Sequence, residues 1–301
     1  MASTSQVASM GYIGGVQLFG GAPFRATSCS LNVRQAIEHP DTIDGTVDWT
    51  LYALKGIEIE GDVAFPVLSD TSSSTSLTNI WNLAMARDLS SGELINSGTV
   101  VVTYGGGPAA YSRTFNGCKI NTFELKATAG ERLDGTVGIW GAGSQLAGQP
   151  GAVVIQGKTV GPVSGPPIRV LSWADLLFSG NSIGQGCQIR EFTMTVNNNL
   201  SRNYTFCPAS GFYPNNISTG KRHLNGTFGF QGFAPTEASA DANQNNSSPT
   251  EPSLSFSTSN WSGVTFLNIV FEYQTIEAQP GVITSTTNWY AHANGGGLAY
   301  Q

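Results

Sequence analysis

The sequence predicts an all-β protein with one flanking α-helix and a tandem duplication of the β unit. Three observations lead to this prediction. Most of the chain consists of short runs in which apolar and polar residues alternate, a single stretch has the period of an amphipathic helix, and one nine-residue pattern occurs twice.

The strand pattern dominates both halves of the chain. The alternating runs are bounded by Gly, Asn, Asp or Pro, which favour turns over continued strands. The runs are Ala26–Val33, Gly56–Phe65, Thr99–Tyr104, Lys119–Thr128, Gly135–Trp140, Gln188–Val196, Asn203–Cys207, Arg222–Phe233 and Val264–Gln274. Because successive side chains of a strand point to opposite faces, each run can bury one face and expose the other.

One amphipathic helix is predicted over Ser76–Asp88. Its apolar residues recur at positions i, i+3, i+4, i+7 and i+8, which places them on one helical face. They are Leu77, Ile80, Trp81, Ala84 and Met85. Ser76 or a neighbouring Ser or Thr would cap the helix, and Trp81 would anchor it against a sheet. A second, weaker helix pattern covers Ser172–Phe178.

The repeated pattern indicates a duplicated β unit. Gly117–Leu125 matches Gly186–Met194 without a gap, with identical Gly, Cys, Ile and Phe. A looser match between other strands implies a different register, so the boundaries of the unit stay open. The predicted organisation is an N-terminal arm (1–24), a first β domain (25–141), a Gly/Pro-rich linker (142–167), a second β domain (168–278) with a loop insertion (234–260), and a C-terminal tail (279–301).

Composition indicates a protein that assembles with others. Only 11% of the 301 residues are charged, and few charges have to be desolvated when a Ser-, Thr-, Asn- and Gly-rich surface meets another protein. The formal charge of −6 gives no basic footprint for gripping nucleic acid. The N-terminus has no signal-peptide pattern, and no apolar run reaches the length of a membrane span, so we expect a soluble protein made in the cytosol.

Residues with catalytic or metal-binding chemistry do not form recognisable motifs. Cys29, Cys118, Cys187 and Cys207 lack zinc-site spacing and are expected to be small buried hydrophobes. The three histidines, His39, His223 and His292, stand in unrelated contexts, and no serine lies in a nucleophile-elbow motif. The Gly-rich stretches lack the continuation of a phosphate-binding loop and are interpreted as turns. We therefore expect neither an enzyme nor a cofactor.

Three acids form the one carboxylate constellation of interest. Glu58, Glu60 and Asp62 alternate with apolar residues in the strand Gly56–Phe65, which puts all three on one face. Such a face could hold Ca²⁺ or supply an acid and base pair, although metal sites usually recruit ligands from several elements. A solvated strand face is the simpler interpretation.

The order of these motifs resembles the phage tail tube protein family. The resemblance is carried in the first half by the motifs S-x-S-L-N-V, G-x-x-x-x-G-x-x-x-F-P and INTFELKATAGERLDGTVGIWG, with the helix between them. In the second half it is carried by IREFTMTVNNNLSRNYTF and NNISTGKRHLNGTFGF, so it covers roughly residues 25–140 and 186–275. The resemblance implies a β-sandwich or barrel whose sheets join those of neighbouring subunits around a lumen, in rings that stack head to tail.

The resemblance also implies partners and a role for the acids. The subunit would bind copies of itself, the tape measure protein, tail-tip and tail-terminator proteins and, in a contractile tail, a sheath, in a virion assembled in the host cytoplasm. Two tube-like domains per chain would give three chains per ring rather than six. Because DNA would pass through the lumen without binding, Glu58, Glu60 and Asp62 are predicted to line it.

Two other classes of protein are alternatives to a tube subunit. A capsid decoration, tail-completion or distal tail protein would share the same composition. A carbohydrate-binding β domain would use exposed aromatic residues as platforms, and Trp261, Trp289 and Tyr290 are the candidates. The arm, the insertion and the tail are expected to become ordered only through contacts with neighbouring subunits.

Overall fold

The computed structural model describes most of the predicted strands. The described residues are 13–21, 23–24, 26–39, 52–68, 77–85, 97–104, 111–143, 153–157, 169–179, 189–205, 212–231, 254–258, 261–266, 269–272, 275–280 and 282–292. Together they form one α-helix, α1 (Leu77–Met85), a short 3-10 turn (Trp173–Asp175) and eighteen strands. The strands are β1 (Ile13–Leu18), β2 (Ser28–Cys29), β3 (Asn32–Glu38), β4 (Ala53–Pro66), β5 (Gly98–Tyr104), β6 (Tyr111–Thr128), β7 (Asp134–Gly141), β8 (Val153–Gly157), β9 (Leu176–Ser179), β10 (Ile189–Asn197), β11 (Ser201–Asn203), β12 (Asn216–Ser218), β13 (His223–Gln231), β14 (Leu254–Thr258), β15 (Trp261–Phe266), β16 (Ile269–Phe271), β17 (Thr275–Gln279) and β18 (Val282–Ala291).

A 13-stranded antiparallel sheet is the centre of the fold. Its main path runs β16-β18-β13-β10-β6-β7-β4-β2, and β1, β3, β5, β8 and β17 pair beside this path. Strand β6 is long enough to serve two parts of the sheet. Its first half pairs with β5 and β8, and its second half pairs with β7 and β10. The all-β prediction is confirmed.

A second layer covers one face of this sheet. It consists of α1 and a three-stranded sheet of order β15-β14-β9. The Trp81 ring of α1 lies 5.8 Å from that of Phe123 in the large sheet and 6.4 Å from that of Phe266 in the small one. Phe266 in turn lies 5.2 Å from Trp289 of β18. The helix therefore packs against both sheets through edge-to-face aromatic contacts.

The helix predicted from periodicity is confirmed, and the second helix is wrong. All five apolar residues predicted to face the sheet from α1 are buried. Only the 3-10 turn forms within Ser172–Phe178, and β9 follows it at once. The Asp175 carboxylate accepts hydrogen bonds from the Ser172 backbone N–H and hydroxyl at 2.8 and 3.0 Å, and it also contacts Arg169. Pairing of β9 with β14 then extends the chain, so tertiary contacts override a weak local pattern.

The two matched segments lie side by side. Strands β6 and β10 are antiparallel neighbours, and Leu125 stands opposite Met194, its own counterpart in the repeat. Both side chains are fully buried. Strands β7 and β13 flank this central pair on either side, but the next strands differ in chain order, since β4 precedes β6 whereas β18 follows β13. Two tandem domains therefore stay a prediction.

Several segments predicted as arm, linker, insertion or tail contain strands of the fold. Strand β1 pairs with β5, β8 with β6, and β14 with β15 and β9. The predicted tail contains most of β18, which pairs with β13 along eight residues. Ser285, Thr287 and Trp289 on β18 are buried, and the Thr287 hydroxyl donates to the Glu272 carbonyl at 2.9 Å. Two of these three inward residues are polar, so the sequence of β18 does not show the apolar–polar alternation that predicts a strand.

Candidate functional site

Strand β4 places the three acids as the alternation predicts. Ile59 and Val63 are fully buried, and Ile57 is half-buried on the same face. Glu58, Glu60 and Asp62 therefore share the opposite face, which turns away from the core. Glu58 and Glu60 are half-buried, whereas Asp62 is exposed.

Two arginines lie beside these acids. The Glu60 carboxylate lies 3.0 Å from Arg202 Nη2 and 3.4 Å from Arg34 Nη1, and Glu58 lies 3.5 Å from Arg202 Nη1. The two arginines differ in exposure, since 10% of the Arg202 side chain is exposed against 69% of Arg34. The face is therefore a network of both charges and not an acidic surface.

Arg202 reaches the acids from the two-stranded hairpin β11–β12. This hairpin contacts β4 and β7 through Arg202, and β6 through Ile217. The Arg202 guanidinium stands 4.1 Å above the Trp140 ring of β7 and donates to the Ile59 carbonyl at 3.2 Å. Stacking on an aromatic face and a charge-assisted hydrogen bond both favour arginine over lysine at this position.

A small apolar cluster and a half-buried lysine complete the attachment of the hairpin. Leu200 and Ile217 pack against Trp140 and Ala142, separately from the main core. The Lys119 ammonium of β6 donates to the Ile217 carbonyl at 2.7 Å, and its partial burial lowers its pKa. The hairpin is thus held by packing as well as by charge.

The same segment also supports the first part of β4. Tyr204 lies over Gly56, where a side chain on residue 56 would collide with its ring, and its hydroxyl donates to the Ile57 carbonyl at 3.3 Å. Burial, together with the nearby Glu58 carboxylate, raises the pKa of Tyr204. The Ile57 N–H donates to the Phe212 carbonyl at 2.7 Å. The hairpin segment therefore follows β4 from Gly56 to Glu60.

The ion pairs with arginine limit the ability of Glu58 and Glu60 to bind a metal ion. Guanidinium groups occupy the neighbourhood where a cation would bind Glu58 and Glu60, and no group of three metal-ligating side chains occurs among the described residues. Sequence reasoning missed both arginines and Trp140. Arg202 stands 142 residues from Glu60 along the chain, so no local pattern relates the two.

The other candidate residues are dispersed. Trp289 is fully buried in the core, so its role as an exposed carbohydrate platform is wrong. Tyr290 is half-buried, and the Trp261 side chain lies outside the described residues. His39 follows β3, whereas His223 and His292 lie at neighbouring ends of β13 and β18.

The cysteines fall partly outside the described residues. Cys118 is fully buried, and desolvation raises the pKa of its thiol to about 12. The prediction of a buried hydrophobe is confirmed for Cys118, while Cys29 is half-buried with a free thiol. Cys187 and Cys207 lie outside the described residues. Within the described part of the chain, no helix has the length and apolar character needed to cross a membrane.

Comparison with known proteins identifies the family. No curated protein matches the chain. A family model for the phage tail tube protein matches residues 53–291, which is well over half of the chain. The match begins at the first residue of β4 and ends at the last residue of β18, so it includes α1, the hairpin and most of the large sheet. The chain belongs to the phage tail tube protein family, whose members are structural proteins of the virion tail.

Proposed function

We propose that this protein assembles into rings that stack into the tail tube, through which the genome passes during ejection. The observation that carries the proposal is the family match over residues 53–291. The match includes strand β4, which carries the three acids, and most of the large antiparallel sheet.

Two properties of the chain support assembly with copies of itself. Among the described residues, β3 pairs only with β4, and β17 pairs only with β18, so the sheet ends in edges that a neighbouring subunit can cover. An uncovered edge exposes backbone N–H and C=O groups and favours pairing with another chain. The low charged fraction of 11% reduces the cost of desolvating such contacts.

The number of chains per ring is a further part of the proposal. Three chains would follow if each chain supplied two tube-like units. The pairing of β6 with β10, in which Leu125 faces its counterpart Met194, supports two related units, whereas the different chain order of β4 and β18 weighs against a simple repeat. Closed rings of either three or six chains use the same heterologous contact.

The lumen and the partners are also proposals. Of the three acids, exposed Asp62 is best suited to face a DNA lumen, because Glu58 and Glu60 are held by Arg202. The tape measure, tail-tip and tail-terminator proteins, and a sheath in a contractile tail, would bind the inner surface, the two ends and the outer surface of the tube.

Electron microscopy of the purified protein tests the assembly. We expect rings or tubes at high protein concentration, with three or six repeats visible in end views. A protein that stays monomeric in sedimentation velocity at high concentration, and that is missing from purified virions, would contradict the proposal. Glycan binding by such monomers would instead favour a carbohydrate-binding protein.

A further inference from the structure

A hollow lies beside the first part of β4, on the face of the paired strands β3 and β4 that turns away from the core. Its volume of about 560 Å³ is typical of small-molecule sites in proteins. Ala36 and Gly56 line it, and each stands two residues from a polar lining residue on the same strand, Arg34 on β3 and Glu58 on β4. Because neither Ala36 nor Gly56 has a side chain beyond Cβ, the strand surface is open at this point.

Tyr204 forms one wall of the hollow and is held in place by β4. Its hydroxyl donates to the Ile57 carbonyl at 3.3 Å, and its ring lies so close to Gly56 that a side chain there would collide with it. Tyr204 is nevertheless 46% exposed. A fixed and exposed aromatic ring offers an apolar surface on which a ligand can pack.

Arg34 and Glu58 line the hollow and keep unused capacity for hydrogen bonds. They stand opposite each other in the β3–β4 pairing, yet no ion pair joins them. In the described part of the chain, Arg34 donates only from Nη1, to Glu60 at 3.4 Å, which leaves its other N–H donors. The Glu58 carboxylate lies 3.5 Å from Arg202 and accepts no hydrogen bond from a described residue. A donor and an acceptor therefore meet one site beside an aromatic ring.

The charges around the hollow cancel. Three cations are matched by three acids, in the pairs Arg34–Glu60 at 3.4 Å, Lys55–Glu38 at 3.0 Å and Arg202–Glu58 at 3.5 Å. A phosphate or another anion would meet the acids as well as the cations, so it would gain little net attraction. A neutral ligand with hydroxyl groups needs no counter-charge, and hydrogen bonds between hydroxyls and ionised groups are stronger than those between neutral groups.

We propose that this hollow binds a saccharide, with one pyranose ring packed on Tyr204 and its hydroxyls bonded to Arg34 and Glu58. A pyranose ring carries apolar C–H groups on its faces and hydroxyls around its edge. It therefore matches an aromatic wall that is flanked by a donor and an acceptor. This binding activity goes beyond assembly into a tube and does not depend on it.

Saturation-transfer NMR on the purified protein tests the site. The probes are the methyl glycosides of glucose, galactose, mannose and N-acetylglucosamine. We expect saturation transfer to at least one of them, and its titration gives the dissociation constant. Arg34→Gln should weaken binding about tenfold or more, which is the loss expected for a hydrogen bond to a charged group. Its melting temperature should stay at the wild-type value, because 69% of the Arg34 side chain is exposed.

A second variant fills the hollow without removing a polar group. Ala36→Leu places a larger side chain in the hollow, leaves Tyr204, Arg34 and Glu58 unchanged, and should abolish binding. Ala278→Leu on β17 is the matched control, since it makes the same change at an exposed position on the other edge of the sheet, and it should keep the wild-type affinity.

Three results would overturn the inference. They are saturation transfer to none of the four glycosides, wild-type affinity in folded Ala36→Leu or Arg34→Gln protein, and an equal loss of affinity in Ala278→Leu. Tube formation is recorded separately by electron microscopy. A protein that forms tubes but binds no glycoside contradicts only this inference, and the proposed function stands.

Discussion

Arg202 Nη2 lies 3.0 Å from Glu60 Oε2, and this pair joins the β11–β12 hairpin to the face of β4 that carries the three acids. Arg34 binds the other oxygen of the same carboxylate at 3.4 Å from the solvent side. The chain therefore contains a buried and an exposed version of one ion pair, which makes their contributions directly comparable.

Replacing Arg202 should destabilise the protein far more than replacing Arg34. Arg202→Gln leaves two half-buried carboxylates without their buried cation and removes the stacking on Trp140, which should cost about 1–3 kcal/mol of unfolding free energy. Arg34→Gln removes a largely solvated pair and should cost less than about 0.5 kcal/mol. Urea denaturation of the two variants measures the difference, and equal costs would show that the hairpin does not depend on Arg202.

Asn198 should be among the most sensitive polar residues of the fold. Its buried side-chain amide donates to the Ala84 carbonyl at the end of α1 and to the Ile120 carbonyl of β6, at 3.0 and 2.9 Å. Its carbonyl oxygen accepts from Arg222 Nε at 2.8 Å. Asn198→Ala should cost about 2–4 kcal/mol, because several buried polar groups lose partners at once.

A matched control for Asn198 lies on the hairpin. The exposed Asn203 side chain also donates two hydrogen bonds, to Asn216 Oδ1 at 2.7 Å and Ser218 Oγ at 3.1 Å. Water can replace these bonds, so Asn203→Ala should cost about 0.5 kcal/mol or less. Thermal unfolding of both variants compares them, and a similar loss at both positions would mean that burial is not the deciding factor.

Cys118 should resist alkylation in the folded protein. Its thiol is fully buried, and burial raises its pKa to about 12, so it stays protonated at pH 8. Each unit of pKa lowers the reactive thiolate tenfold, which makes labelling about 10²- to 10³-fold slower than for an unburied cysteine. Iodoacetamide labelling followed by peptide mass spectrometry measures this. Half-buried Cys29 should react faster, urea should make the two equal, and equal rates without urea would contradict the burial of Cys118.

Much of the fold was predictable, because strands β4, β6, β7, β10 and β13 bury one apolar face and expose the other. The helical spacing of Leu77, Ile80 and Trp81 likewise identified α1, because these side chains form one buried face of the helix. Strands with polar inward residues, such as Ser285 and Thr287 of β18, carry no such signal. The position of such strands in the sheet is decided by cross-strand pairing, which depends on distant parts of the chain.

The candidate site was predictable only in part. Alternation was sufficient to place Glu58, Glu60 and Asp62 on one face, since a strand has a fixed period. The partners of these acids could not be predicted, because Arg202 arrives from a hairpin in the other half of the chain. Whether a face is acidic depends on such long-range neighbours as much as on its own residues.

The prediction that this face lines a DNA lumen is best tested at Asp62. Its side chain is exposed, whereas Lys at position 58 or 60 would repel Arg202 and loosen the hairpin. Asp62→Lys should therefore permit tube assembly but add an attractive phosphate contact in every subunit of the channel. We expect DNA ejection from such tails to slow, most strongly at low salt, because the added contact releases counterions.

The matched control is Glu277→Lys on β17, a change of the same charge at an exposed position on the other edge of the sheet. Ejection at the wild-type rate from fully assembled Asp62→Lys tails, at low and high salt alike, would show that Asp62 does not face the lumen, and failure to assemble would place it at a subunit interface.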